Sequence, residues 1–189
     1  MIVLYLIFVI FSLFVCIGFI LLLIAQIWAE FVIAAPFIPI PSQIEEQVVQ
    51  SLKLTKNNIF YDLGCGDGRV LIKAVEQNPE IKTVGVDIAF LPFLISKWKT
   101  RKYKNIQIIR KDFFKTDLKE ATHIFVYLSS KMDELSAKIQ KECRPGTRIV
   151  SCDFQFQNLK PIEIIDLHNP TSKRGQKLFV YQIWIGSSR

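Results

Sequence analysis

The sequence has no basic residue before Lys53 and only one acidic residue, Glu30, before Glu45. In their place runs an uncharged apolar stretch from Ile2 to Ala25, interrupted by Ser12 and Gly18. At ~1.5 Å per residue such a helix is ~36 Å long and can cross a ~30 Å hydrocarbon core. It shows no polar face at a period of 3.6, so it is not typical of a soluble helix.

A cleaved signal peptide is the alternative interpretation of this stretch. Such a peptide has a basic region followed by roughly 7–15 apolar residues, and here the basic region is absent and the run is longer. We therefore expect a retained transmembrane anchor in residues 1–30, which contacts the lipid bilayer through residues 2–30.

All 24 basic residues follow the predicted anchor at residues 1–30, together with 16 of the 17 acidic residues. Because basic segments stay on the cytoplasmic side, this distribution predicts a single-pass membrane protein with its globular part in the cytoplasm. The net charge of +7 fits a surface that binds anionic headgroups or acidic partners, or one that only aids solubility.

The four cysteines, at positions 16, 65, 143 and 152, form no CxxC pair. Neither a disulfide framework nor a zinc-binding spacing is visible, which fits a reducing compartment. We therefore expect no metal site.

A proline-rich connector is predicted at residues 31–41, because Pro36, Pro39 and Pro41 favour extended backbone. Ser42 followed by Glu45 has the pattern of a capping box, which opens a helix running to about Leu54. The predicted domain occupies residues 42–189.

This domain shows a regular alternation of strand and helix patterns. It predicts an α/β fold: a doubly wound, mostly parallel seven-stranded sheet with an antiparallel hairpin at one edge, preceded by the transmembrane helix. On the helix after the second strand, Phe93 and Trp98 are expected to face the core. The predicted strands are 58–63, 82–88, 106–112, 122–128, 147–154, 161–167 and 177–184, and the predicted helices between them are 68–78, 91–103 and 131–143.

The stretch "YDLGCGDGR", residues 61–69, joins the first strand to a helix. Its glycines at 64, 66 and 68 form GxGxG, which differs from the dinucleotide pattern GxGxxG. The Lys-Ser/Thr ending of a phosphate-binding Walker loop is also missing.

Three acids lie where strands meet their loops: Asp62, Asp87 and Asp112. The carboxyl ends of parallel strands share one edge of the sheet, where ligands bind. A carboxylate at the end of the second strand can accept both hydroxyls of a ribose, and an acidic edge suits a cationic nucleoside better than a pyrophosphate.

The combination "DLGCGDGR", "VGVD" and "RKD" resembles the class I S-adenosylmethionine-dependent methyltransferases over roughly residues 42–185. The resemblance implies that S-adenosyl-L-methionine is the cofactor. The glycine loop would pack against its methionyl part, Asp87 would hold its ribose, and Asp112 and Phe113 would lie at its adenine. The residues that the resemblance assigns to cofactor binding are Asp62, Gly64, Cys65, Gly66, Gly68, Asp87, Ile88, Asp112 and Phe113.

A narrower resemblance is to the membrane-anchored protein-lysine methyltransferases of the ATP synthase c-subunit and adenine nucleotide translocase type, and to related archaeal enzymes. It rests on "APFIPIP" at 35–41, "YLSSKMDELSAKI" at 127–139 and "CDFQF" at 152–156. In "CDFQF", Asp153 and Gln155 replace an arginine and a proline that are usual in that family, and the loop after the fourth strand is also altered.

The resemblance implies a lysine amine of a membrane-associated protein as methyl acceptor, with Tyr127 and Ser129 as candidate catalytic residues. Desolvation can deprotonate such an amine, so no dedicated base is required, and His123 and His168 are expected to be surface or packing residues. Two other functions stay open: methylation of a lipid-soluble small molecule, and a non-catalytic nucleoside-binding scaffold in a membrane complex. No nucleic acid partner is expected.

Overall fold

The computed structural model describes residues 1–33, 39–127, 131–170 and 172–184, without the side chains of residues 25–33. The chain divides into two compact units, Met1–Phe37 and Ile38–Arg189. The predicted division into an anchor at 1–30, a connector at 31–41 and a domain at 42–189 stays a prediction.

Helix α1, Ile2–Ile33, makes up the first unit. By length and apolar composition its segment Ile2–Ile24 could cross a membrane, a test that signal sequences and some core helices also meet. The side chains of this segment are exposed.

The second unit alternates strands and helices as predicted. After a 3₁₀ turn at Ser42–Ile44 its helices are α2 (Glu45–Leu52), α3 (Arg69–Gln77), α4 (Phe90–Thr100) and α5 (Met132–Glu142). A second 3₁₀ turn spans Phe113–Lys115. The strands of the second unit are β1 (Ile59–Leu63), β2 (Lys82–Asp87), β3 (Ile106–Arg110), β4 (His123–Val126), β5 (Arg148–Cys152), β6 (Glu163–Asp166) and β7 (Lys177–Gln182).

The seven strands form one sheet in the order β3-β2-β1-β4-β5-β7-β6. Strands β1 to β5 pair in parallel, whereas β7 pairs antiparallel with both β5 and β6. The predicted fold class is therefore confirmed, including the antiparallel hairpin at one edge.

Hydrophobic side chains cover both faces of the sheet because successive strand residues point to opposite sides. Helices α2 and α3 pack on one face against Phe60 and Phe125. Helix α5 packs on the other face, where Leu135 and Ile139 meet Ile124. These two layers hold the strand ends, and with them the loops, in fixed positions.

The predicted capping box at Ser42 and Glu45 is wrong. Ser42 lies within the 3₁₀ turn, and α2 begins after Ile44 with no side-chain cap. The Glu45 carboxylate instead accepts a hydrogen bond from the Arg69 guanidinium at 3.4 Å. A long-range ion pair has thus replaced the local cap.

The placement of Trp98 in the core is also wrong, since its side chain is 65% exposed, and Phe93 is only half-buried. The buried residues of α4 are Ser96 and Thr100. Only small side chains fit there, because α4 passes close to Gly68: a Cβ on that glycine would lie 3.3 Å from Ser96 Cβ and from Thr100 Cγ2.

Candidate active site

The loops that follow β1 to β5 all leave the sheet at one edge, because these strands are parallel. Strands β2 and β3 lie on one side of β1, and β4 and β5 lie on the other. The connections leave β1 and β4 in opposite directions, which opens the crevice where α/β proteins of this type bind ligands.

The loop between β1 and α3 turns on its three glycines. Gly64, Gly66 and Gly68 have φ angles of 85°, 55° and 79°, in a region that other residues enter only with strain. The Gly64 and Cys65 amides donate to the Val86 carbonyl at 2.8 and 3.1 Å. The loop is therefore tied to β2 and presents bare backbone at the crevice.

Asp87 connects this loop to the end of β2. One of its carboxylate oxygens accepts the Gly66 amide and the other accepts the Ala89 amide, both at 2.9 Å. Burial raises the pKa of Asp87, while these amides and that of Ile88 act to lower it. Each oxygen keeps a second lone pair, so the carboxylate can still accept the two hydroxyls of a ribose.

Asp62 lies near Asp87 in the interior and is 3% exposed. Burial, with the nearby charges of Asp87 and Asp67, raises its pKa to about 8. Placing carboxylates close together in the interior is unfavourable unless a cation or proton balances them. The pair therefore fits a ligand that carries positive charge.

Asp112 and Phe113 lie at the same edge, after β3. The Asp112 carboxylate accepts the Phe114 amide at 2.9 Å and so caps the short turn at Phe113–Lys115. The Phe113 ring lies 4.5 Å from that of Phe114, measured between centroids. Ile88, the remaining predicted residue of this edge, is 49% exposed beside Asp87.

Tyr127 directly follows β4. Its ring lies 6.3 Å from that of Phe154, and burial, with the neighbouring Cys152 and Asp153, raises its pKa to about 12. The phenol is therefore neutral at physiological pH. Ser129, the other predicted catalytic residue, lies outside the described residues.

Asp153, at the end of β5, has a φ of 61°. Its carboxylate accepts the amides of Gly175, Gln176 and Lys177 at 2.5, 2.6 and 3.2 Å. Asp153, which replaces the arginine usual in the family, thus binds the segment that leads into β7. It fixes the position of this segment next to Tyr127.

The two histidines lie elsewhere. His123 begins β4, at the opposite end of that strand, and burial together with Arg148 lowers its pKa to about 4. The His168 side chain is 87% exposed. Within residues 1–33, 39–127, 131–170 and 172–184, no group of His, Cys, Asp and Glu is arranged to hold a metal ion.

Comparison with known proteins identifies this architecture. The family described as "ANTKMT methyltransferase domain" matches residues 62–163, which is more than half of the chain. The chain belongs to this family. The match begins at Asp62, includes the glycine loop and Asp87, and ends in β6.

Two curated relatives cover most of the domain. A protein-lysine N-methyltransferase of Saccharolobus islandicus is 32% identical over 149 residues, which are 77% of this chain and 92% of the relative. The lysine N-methyltransferase of the ATP synthase c-subunit from Mus musculus is 23% identical. That match covers 82% of this chain and 66% of the mouse protein, just under two thirds of its length.

A solved structure shares the fold. An RNA methyltransferase from Salinibacter ruber, in complex with S-adenosyl-L-homocysteine, superimposes with a TM-score of 0.71 at 24% identity. The alignment covers 78% of this chain and 94% of the other. At that identity the likeness shows the fold, not the substrate.

These findings confirm that the chain is a class I S-adenosylmethionine-dependent methyltransferase of the ANTKMT family. The site chemistry fits this cofactor, because the buried Asp62 and the half-buried Asp87 together suit a cation, and Asp87 has lone pairs available for hydroxyls. The assignment of individual residues to cofactor contacts stays a prediction. Cys65 is 6% exposed and its pKa is raised well above normal by burial, so its thiol is neutral.

In this ANTKMT-family methyltransferase no sequence pattern indicated the role of Asp67, which anchors the glycine loop through ion pairs. Arg69 donates to both of its carboxylate oxygens at 2.9 Å, and Lys99 donates at 2.6 Å. Burial favours a higher pKa for Asp67, but these hydrogen bonds outweigh it and lower the pKa to about 2. Arg69 also donates to the Ile40 carbonyl at 3.1 Å.

Gly85 in β2 was missed as well. A Cβ on this residue would lie 2.5 Å from Leu71 Cδ1, 2.8 Å from Ile108 Cδ1 and 2.9 Å from Cys65 Sγ. Glycine at this position therefore lets α3 and the glycine loop approach the sheet. The "VGVD" pattern contained this signal, because an isolated glycine within a strand marks a close approach.

Proposed function

We propose that this methyltransferase transfers the methyl group of S-adenosylmethionine to a lysine amine of a membrane-associated protein, and that α1 tethers it to that membrane. The observation that carries the lysine acceptor is the similarity to the archaeal protein-lysine N-methyltransferase, which extends over 92% of that protein. The mouse relative is named for a lysine of the ATP synthase c-subunit, and it supports the same acceptor.

The cofactor supplies a positively charged sulfur with a transferable methyl group. The residues of the chain then have three tasks: to bind, to orient and to exclude water. In our proposal Asp87 holds the ribose, the glycine loop lies against the methionyl part, and Asp112 and Phe113 border the adenine. Asp62 releases its proton when the positively charged cofactor binds and then balances that charge. Cys65 and Ile88 complete the lining.

In our proposal Tyr127 receives the acceptor amine. A lysine amine with a pKa near 10.4 is almost fully protonated at pH 7, and deprotonating it costs ~4.6 kcal/mol. A narrow apolar entrance lowers that pKa by desolvation. In our proposal the neutral Tyr127 phenol and the Phe154 ring form the apolar part of this entrance. The neighbouring Asp153 carboxylate is engaged by the amides of the segment at the start of β7. Ser129, two residues after Tyr127 in the sequence, remains the second candidate catalytic residue of this proposal.

The membrane tether is supported by α1, whose segment Ile2–Ile24 is long and apolar enough to span a bilayer. Tethering raises the effective concentration of membrane-bound acceptors without adding a contact. The charge distribution, with every basic residue after α1, favours a cytoplasmic domain.

The test is transfer of a radiolabelled methyl group from S-adenosylmethionine into a membrane extract. Wild type is compared with Asp87→Ala and with Glu80→Ala as a matched control. Glu80 is an exposed carboxylate just before β2, at the opposite edge of the sheet, where it pairs with Lys56 at 3.1 Å. We expect label in a protein band, recovered as methyl-lysine, with wild type and Glu80→Ala but not with Asp87→Ala.

Other outcomes separate the alternatives. Label confined to the lipid extract would replace the lysine acceptor with a lipid-soluble small molecule. Cofactor binding without transfer to any membrane component would favour the non-catalytic scaffold.

A further inference from the structure

Helix α4 has the reverse of the usual distribution of side chains. Its buried positions are the small polar residues Ser96 and Thr100, whereas its large apolar side chains are exposed to solvent. We call these exposed residues the α4 outer face; they are Phe90, Leu91, Leu94, Ile95 and Trp98.

The α4 outer face is continuous along the helix. At about 100° per residue its five members fall within an arc of about 140°, opposite to Ser96 and Thr100. Trp98, 65% exposed, lies near the middle of that arc. Soluble proteins rarely expose contiguous apolar patches without an interaction partner.

Cations lie against the aromatic side chains of the helix. The Arg101 guanidinium lies 4.5 Å from the centroid of Trp98, and that of Arg110 lies 5.0 Å from the centroid of Phe90. Lys97 Nζ lies 5.5 Å from the centroid of Phe93. The apolar surface thus has a basic rim.

The stretch of sequence that contains α4 has charge of a single sign. Residues 88–111 contain seven basic residues and no acidic residue, while the net charge of the whole chain is +7. Lys99 is directed away to Asp67, which it contacts at 2.6 Å. Lys97 and Arg101 lie beside aromatic rings of the helix, and further positive charge comes from Lys102, Lys104 and Lys111. This surface complements a polyanion.

We propose that the α4 outer face binds an anionic lipid bilayer, with Trp98 and the apolar side chains in the interfacial region and the basic rim at the headgroups. Helices with large apolar residues on one face and Lys or Arg beside them bind membranes in this way. Lys and Arg can extend their charged ends to the headgroups while their stems cover apolar surface.

The proposal rests on the proposed tether in one respect. Six residues separate Ile33, where α1 ends, from Ile40. At ~3.6 Å per residue this connector spans roughly 25 Å at most. A domain held by α1 in a bilayer therefore stays near that bilayer. A weak contact between the domain and lipid then costs little further translational entropy.

An anionic bilayer fits this surface better than the other polyanions do. Single-stranded nucleic acids bind in basic grooves where bases stack on aromatic rings. Here Trp98 and Phe90 stand on a convex helix and their rings are already contacted by arginines. The remainder of the face is aliphatic, formed by Leu91, Leu94 and Ile95. An acidic protein would need to bury this convex helix in a groove of its own. An anionic bilayer offers an apolar layer for the large side chains and a negatively charged headgroup surface for the basic rim.

Binding through α4 would also orient the active site. The helix begins at Phe90, three residues after Asp87. Its first turn therefore lies at the edge of the sheet that carries the candidate site. A bilayer along the outer face would hold that edge close to membrane-embedded acceptors.

The test uses the full chain reconstituted into vesicles, with Trp28→Phe and Trp184→Phe so that Trp98 is the remaining tryptophan. Vesicles contain phosphatidylcholine alone or mixed with phosphatidylglycerol, each with brominated acyl chains that quench nearby tryptophan. We expect a blue shift and quenching of Trp98 in the mixed vesicles, and less of both in phosphatidylcholine or at high salt.

The matched variants add Leu94→Glu with Ile95→Glu, or Ile164→Glu as control. Ile164 is an exposed apolar residue of the edge strand β6, 56% exposed. Quenching should be lost in the α4 variant and retained in the β6 variant. Circular dichroism of both variants shows whether they remain folded.

Flotation of the chain with vesicles reports the anchor separately. If the chain floats but Trp98 is neither shifted nor quenched in any lipid, the α4 proposal is wrong and the tether stands. If the chain does not float, both are wrong. The Trp98 emission could instead shift without quenching, either together with formation of a cross-linked dimer or only after membrane proteins are added. Either result assigns the face to a protein partner and also overturns the proposal.

Discussion

The carboxylate of Asp87 accepts the amide of Gly66 at 2.9 Å, across 21 residues of sequence. This contact joins the end of β2 to the glycine loop, next to the bonds from the Gly64 and Cys65 amides to the Val86 carbonyl. It fixes the distance between the loop backbone and the carboxylate that would hold the ribose. Cofactor binding and loop position are therefore coupled through a single side chain.

Asp87→Asn tests that coupling. The amide keeps one acceptor oxygen but loses the charge, and hydrogen bonds to a charged group contribute roughly 1.5–3 kcal/mol. We expect S-adenosylhomocysteine to bind roughly 10- to 100-fold more weakly, as measured by calorimetry. Glu80→Gln, at the opposite edge of the sheet, should bind as wild type. Equal affinity in both variants would contradict the ribose assignment.

Gly68→Ala addresses the approach of α4 to the glycine loop. The substitution places a Cβ at 3.3 Å from Ser96 and Thr100, in backbone with φ of 79°. Gly146 has φ of 91° but nothing within 4 Å of its added Cβ. Each change forces a left-handed alanine, which costs about 1–2 kcal/mol.

The difference between the two variants isolates the close contact. Chemical denaturation of the full chain in detergent should show a larger loss of stability for Gly68→Ala than for Gly146→Ala. Only Gly68→Ala should also weaken cofactor binding. Identical losses of stability in the two variants would mean that α4 moves away from the added Cβ at no cost in free energy.

Asp62 gives a pH-dependent prediction. Its pKa rises from 3.8 to about 8 on folding, so the folded chain holds a proton that the unfolded chain has released. The contribution of Asp62 to stability is therefore full below about pH 4 and is lost as pH rises to about 8. Asp67, with a pKa of about 2, titrates below this range.

Asp62→Asn should remove this part of the pH dependence. Relative to wild type the variant should become more stable between pH 4 and pH 8, by up to a few kcal/mol, since one pKa unit corresponds to about 1.4 kcal/mol. Asp87 remains and retains its own dependence. Denaturation midpoints measured across this range check the prediction, and parallel curves would show that Asp62 is ionised in the folded chain.

Tyr127 separates acceptor binding from cofactor binding. We expect Tyr127→Ala to lower kcat roughly 10- to 100-fold, because a misplaced acceptor loses alignment, while the affinity for S-adenosylhomocysteine stays unchanged. Tyr127→Phe distinguishes the hydroxyl from the ring. Tyr103→Ala, which alters a tyrosine in the turn before β3 at the opposite edge, is the control. Unchanged turnover in Tyr127→Ala would remove the residue from the site.

The mostly parallel sheet, its edge hairpin and the acidic edge could be predicted because they depend on local patterns. Asp62, Asp87 and Asp112 each follow an apolar strand, and parallel strands bring such positions together. Alternation of strands and helices indicated the parallel sheet, and the two final strands without a helix indicated the hairpin.

The interior-facing side of α4 and the role of Asp67 depend on distant partners instead. Hydrophobicity placed Trp98 in the core, but the approach of α4 to Gly68 admits only Ser96 and Thr100 on that side. Lys99 lies 32 residues from Asp67 in sequence, and no periodicity relates them. Glu45 was likewise assigned to a local cap because its partner, Arg69, is remote.

Arg69 donates a hydrogen bond to the Ile40 carbonyl, near the beginning of the domain. A pulling force on the preceding chain therefore acts on this bond. Tension on the chain ahead of Ile40 is carried first by this bond and by the buried side chains of Ile40 and Ile44. Arg69 opens α3 directly after the glycine loop. Drag on the leading segment is thus transmitted to the start of α3, directly after the glycine loop, and also to the segment before β7, because Pro41 and Ile44 pack beside Gly175.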